Sequence, residues 1–198
     1  MKKIITISGL ILLVTSVAVA QCAMQMSAKS DAAPSGFKAN YFEALDHLEK
    51  ETVALAEAAP QEKYSWRPGE GVRSVGEVFM HMAAGNYSYA RMAGATIPSD
   101  VNPREFEKSA NDKAKTVAQL KQSFAFLRQT AQNLSDSDLN KPVKIYGKDS
   151  NIMNVLLISV THQSEHLGQS IAYARDIGVV PPWTAERQAA QKPAEPKK

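Results

Sequence analysis

His162 and His166 stand four residues apart in a stretch patterned as a helix. At about 100° per residue, four steps bring the chain round to within about 40° of its start. Both imidazoles therefore project from one face, one turn apart, a geometry that suits two ligands of one zinc-like ion. The pair follows Val155 and Ile158 along the same stripe. A buried imidazole must satisfy a donor and an acceptor, and a shared cation relieves that cost. Two neutral rings bonded to water are the bland alternative. His81 lies on the inward stripe of another helix, beside Val78, Met82 and Gly85. Bundle metal sites are built from inward side chains on facing helices. His81, His162 and His166 are therefore the expected ligands of a divalent metal, and three protein ligands leave a position open for water or substrate. Gly85, one turn beyond His81, is read as allowing close helix packing, with room for an imidazole as the second reading.

The flanks of this group carry candidates of lower specificity. Glu165 lies about 60° to one side of His162, within reach of a metal-bound water as general base. Its plain reading is a solvated carboxylate. Gln169 follows His166 on the stripe and is placed to orient that ring. His47 reads as a surface residue, and Trp66, Tyr87 and Tyr89 as core. His162 to His166 also fits H-x-x-E-H, a protease signature that needs a further acidic ligand well downstream. After His166 only Asp176, Glu186 and Glu195 remain, two of them in the tail, which argues against it. No C-x-x-C-H is present, which excludes covalent c-type haem.

Four amphipathic helices are needed to hold these residues. Phe42, Leu45, Leu48, Thr52 and Leu55 recur at spacings of three and four, predicting a helix from Asn40 to just before Pro60. Ser74 followed by Glu77 is a capping box, predicting a second helix to about Ala93. Lys115 to Leu134 is the third, with Val117, Leu120, Phe124, Leu127 and Ala131 as its stripe. A short segment around Lys144–Lys148, closed by Gly147, reads as extended. Ser150 or Asn151 caps the fourth helix, which Gly178 and Pro181-Pro182 end near Asp176. No convincing sheet accompanies them, so the fold class is all-α, a four-helix bundle.

The 198 residues suit one domain. Lys2 and Lys3, the uncharged run Ile4–Val19 and Ala18-Val19-Ala20 form a secretory signal peptide over 1–20. The expected product is exported, periplasmic or secreted, without stable membrane insertion after cleavage. Lipidation of Cys22 is the minor alternative. As the only cysteine, Cys22 excludes an intrachain disulfide. Residues 21–37 read as a flexible leader, 38–185 as the domain and 186–198 as a disordered tail. The formal charge is +3, and losing Lys2 and Lys3 leaves 21 basic against 20 acidic residues. With no basic stripe interleaved with aromatics, no nucleic-acid partner is expected.

Trp66-Arg67-Pro68, then Arg73-Ser74-Val75-Gly76-Glu77-Val78 and His81, resemble the loop and second helix of the DinB/YfiT-like family. His162 to Gln169, followed by Gly178-Val179-Val180-Pro181-Pro182, resembles that family's last long helix and its exit. The likeness spans about 38–185. It implies a divalent metal on His81, His162 and His166, zinc or nickel being favoured although three imidazoles also suit iron or copper. It implies a metal-dependent hydrolase or thiol-dependent transferase acting on a small molecule, and dimerisation through the bundle. A non-enzymatic metal- or small-ligand-binding stress protein is the alternative.

Overall fold

The computed structural model describes residues 36–191. The expected signal peptide, Cys22, nearly all of the leader and the end of the tail lie outside them. α1 (Phe37–Ala58) buries Tyr41, Leu45, Leu48, Thr52 and Leu55 at alternating spacings of four and three. It stops where Ala59, next to Pro60, turns extended. The predicted capping box opens α2 (Val75–Met92): Ser74 Oγ accepts from the Glu77 amide, and Glu77 Oε2 accepts from the Ser74 amide at 2.6 Å. The Asp112 carboxylate caps α3 (Lys113–Asn133) by accepting from the Lys115 amide. The Asn151 side chain caps α4 (Ile152–Asp176) in the same way. Gly178, at φ 82°, ends α4 with its neighbour Val179 donating back to the Ala174 carbonyl.

α2 packs against α3 and α4, and α1 packs against the same two helices. The consecutive helices α1 and α2 are thus across the diagonal, touching little, and α2 and α4 are neighbours. The core between them is large and aromatic, with Tyr64, Phe79, Phe124, Leu120 and Met82 fully buried. Arg128 of α3 reaches Asp46 and Glu49 of α1 and ties that pair of helices at the surface. Among the described residues no helix is long and apolar enough to cross a membrane.

One expectation is made more specific and two need correction. The extended segment is a hairpin, β1 (Pro142–Ile145) against β2 (Lys148–Asn151), antiparallel with Ile145 opposite Lys148. Tyr146 and Gly147 make its two-residue turn with φ 50° and 82°, the primed geometry that matches strand twist. The helical domain begins at Phe37, inside the stretch read as leader. The stretch read as a disordered tail from residue 186 is helical as far as Gln191, as the end of α5 (Pro182–Gln191). Pro182 sits in its first turn, where a missing amide costs nothing, and the following Ala, Gln, Glu and Arg are good helix formers. Trp183 packs on the core and the helix lies along α1. The long connection after α2 also carries a 3-10 segment, Pro103–Ser109, which packs on α2.

Candidate metal centre

His81 comes from α2 and His162 and His166 from the neighbouring α4. One nitrogen from each ring lies within 4.8 Å of the others. His81 and His162 face each other through Nε2 at 3.2 Å. Two nitrogens about 2.05 Å from a tetrahedral ion stand about 3.3 Å apart, so this spacing matches one edge of such a site. All three rings are half-buried, on a stripe beside the buried line Leu156, Ser159, Gln163, Leu167 and Ser170. The centre therefore sits at the margin of the core, where a ligand can reach it.

The outward nitrogens decide which tautomer each ring holds. Gln169 Oε1 lies 2.8 Å from His166 Nδ1, and the same amide donates to the Tyr173 hydroxyl at 3.0 Å. Glu107 Oε1 approaches His81 Nδ1 to 3.5 Å while accepting from Arg73 Nε at 3.1 Å. Oxygen acceptors at Nδ1 hold the proton there and leave the Nε2 lone pair for a metal. Burial pushes the pKa of both His81 and His162 down to about 4. For His81, Arg73 and the two other rings push the same way. For His162, His166 and Arg73 add to burial, and the Glu165 carboxylate opposes them. Both rings are thus neutral near pH 7, the form that ligates.

His162 is the strained member. Its Nδ1 is buried with no hydrogen-bond partner among the described residues. A Cβ on Gly85 would lie 2.8 Å from His162 Cε1 and 3.1 Å from its Nδ1. Gly85 thus makes room for an imidazole of the facing helix, which corrects the preference for simple helix packing. Gly85→Ala is expected to tilt that ring and weaken zinc binding by about 10- to 100-fold. Its metal-free melting point should hardly move, because the gain in helix propensity offsets the crowding. A competitive zinc titration beside a melt in chelator measures both, and unchanged affinity would remove Gly85 from the site.

Glu165 is not drawn into the cluster. It is exposed on the flank and acts on His162 only through its charge. His47 is remote, pairing with Glu51 at the surface of α1. Tyr89 is core as expected, but its ring also packs on His162 at 5.4 Å, and its hydroxyl meets that of Tyr146 at 3.3 Å. Sequence reasoning missed Glu107, whose partnership with His81 crosses from a loop to a helix and leaves no local signal. It also missed Gln163, fully buried between two ligands' turns, which donates to the Met82 carbonyl and to Asn86 Oδ1. Its place midway along the line Leu156–Ser159–Gln163–Leu167 was the available clue.

Bundle and histidines together define a helical protein with a three-imidazole centre between two neighbouring helices. Residues 44–170 match the model of the DinB superfamily, and the chain belongs to that family. It is 25% identical over 129 residues to the uncharacterized protein YjoA of Bacillus subtilis (strain 168), covering 64% of this chain and 82% of that one. Its fold resembles a DinB-like protein from Bacillus cereus ATCC 10987, with TM-score 0.64, 15% identity, and 72% of this chain and 93% of that chain covered. It also resembles YfiT from Bacillus subtilis, described as a probable metal-dependent hydrolase with an unusual four-helix bundle topology. There the TM-score is 0.58 and the identity 16%, with 72% and 89% covered. At such identities these two structures speak for the fold.

Proposed function

We propose that this is an exported metal-dependent enzyme, a hydrolase or a thiol-dependent transferase acting on a small molecule. The observation that carries the reading is the convergence of three imidazoles, two of them backed by oxygen acceptors at Nδ1. The donor set fits a borderline divalent cation such as zinc or nickel. When bound, such a cation supplies a Lewis acid that lowers the pKa of a water or thiol at neutral pH. The chain's own groups do the rest. His81, His162 and His166 would hold the ion. Glu107 and Gln169 fix two of those rings. The likeness to YfiT favours hydrolysis over a structural role for the ion. The N-terminal pattern of basic start, apolar run and Ala-Val-Ala supports export.

The test is metal content of the folded chain after dialysis against zinc, nickel or cobalt, with melting curves in and out of chelator. Near-stoichiometric metal, a lower melting point in chelator, and a cobalt spectrum that responds to added thiol or azide are expected. A chain that takes up no metal and melts identically throughout would sink the enzyme reading. A cobalt spectrum unmoved by any added ligand would leave the ion a structural pin.

A further inference from the structure

A groove of about 420 Å³ runs between α2 and the 3-10 segment Pro103–Ser109. Ala84, Ile97 and Pro103 supply apolar wall, and Ser88, Arg91 and Arg104 supply polar groups. On α2, His81, Ala84, Ser88 and Arg91 fall within an arc of about 80°. On the 3-10 segment, Arg104 and Glu107 are three residues apart and share a face. The face of α2 that lines the groove is thus the one that carries His81, and the face of the 3-10 segment that carries Arg104 is the one that carries Glu107. Arg73, Arg67 and Arg128 all have carboxylate partners, whereas Arg91 and Arg104 have none among the described residues. Asn102 accepts from the Arg104 amide and so fixes the start of the segment that presents Arg104.

We propose that this groove binds a small organic anion, its carboxylate or phosphate held by Arg91 and Arg104 and its short apolar body lying on Ala84, Ile97 and Pro103. Two like charges lining one groove repel each other, and an oxyanion between them removes that cost. Guanidinium is the side chain whose planar fork matches either oxyanion with paired, charge-assisted hydrogen bonds. Ser88 adds a neutral hydroxyl along the floor. The proposal stands whether or not the histidines hold metal, because no residue of the groove is a ligand.

The experiment is an NMR titration of the full chain with hexanoate and with hexyl phosphate. Hexanol serves as the uncharged control and acetate as the control lacking a body. Saturable shifts at Ala84, Ser88 and Ile97 are expected with one or both anions, and which one binds tighter names the oxyanion. Arg91→Gln and Arg104→Gln should each weaken binding about tenfold, and the double variant should abolish it. Both side chains are exposed, so the variants should melt with the parent. His162→Ala should lose zinc yet keep the anion, which separates this site from the metal centre. No saturable binding of either anion, equal binding of hexanol, or unchanged affinity in the double variant would overturn the proposal.

Discussion

Gly76→Ala is expected to destabilise the fold by about 3 kcal/mol, lowering the melting point by about 10 °C. A Cβ at this position would lie 1.9 Å from the Ala110 carbonyl oxygen, 2.8 Å from its carbon and 2.9 Å from Tyr64 Cδ1. Two of those atoms are backbone and cannot swing aside. Relief by moving α2 is blocked, since the Ser74–Glu77 capping box fixes its start and the Gly76 amide donates to the Tyr64 carbonyl at 3.0 Å. Tyr64 in turn is fully buried and donates to the Ala56 carbonyl. What must move is the end of the Pro103–Ser109 segment, so Glu107 should shift with it. Gly168→Ala is the control. It is also helical, and a Cβ there meets nothing within 4 Å. That change should be neutral or stabilising by up to about 1 kcal/mol. Thermal melts of the two variants decide the matter, and equal melting points would show that the contact at Ala110 gives way at no cost.

His162→Leu should abolish stoichiometric zinc binding, a fall of about a thousandfold or more in affinity, while raising the melting point of the metal-free protein. The first half follows from removing one of three ligands. The second follows from the position of the ring. His162 is held neutral in a partly buried place, with Nδ1 lacking any partner among the described residues. A buried polar atom left unpaired costs roughly 1–3 kcal/mol, and an apolar side chain of similar size carries no such cost. His81 loses a contact at Nε2 but is open enough to turn to water. Sites kept for function rather than stability behave in this way. The measurement is a melt of both proteins in chelator, beside zinc titrations. A variant that melts well below the parent would make His162 a packing residue.

Much of this molecule could be read from its chain because the signals are local. Stripes at spacings of three and four placed α1 to α4 within two or three residues, and Ser74, Asn151 and Gly178 marked ends by the chemistry of capping. The HxxxH spacing put two imidazoles on one face through helix geometry alone. What escaped depends on contacts between distant parts of the chain. Glu107 meets His81 only because the long connection folds back on α2. The neighbour of Gly85 is on a helix 77 positions further on, at His162. Gln163 looks like a surface residue until the buried line on α4 is known. The pairing of the extended segment into a hairpin, and α5, were missed because a four-residue strand and a polar ten-residue helix carry too little periodicity to stand out from a loop.

His81 is separated from His162 by 81 positions in the chain but adjacent to it in space. Any ion they hold closes a long loop that contains all of α3 and the hairpin. Closing such a loop is entropically costly and comes late, after α2 and α4 have docked. Contacts made late change the rate of opening and leave the rate of collapse nearly untouched. An ion at this centre would therefore act as a latch on the finished bundle, lengthening its lifetime without hastening its assembly.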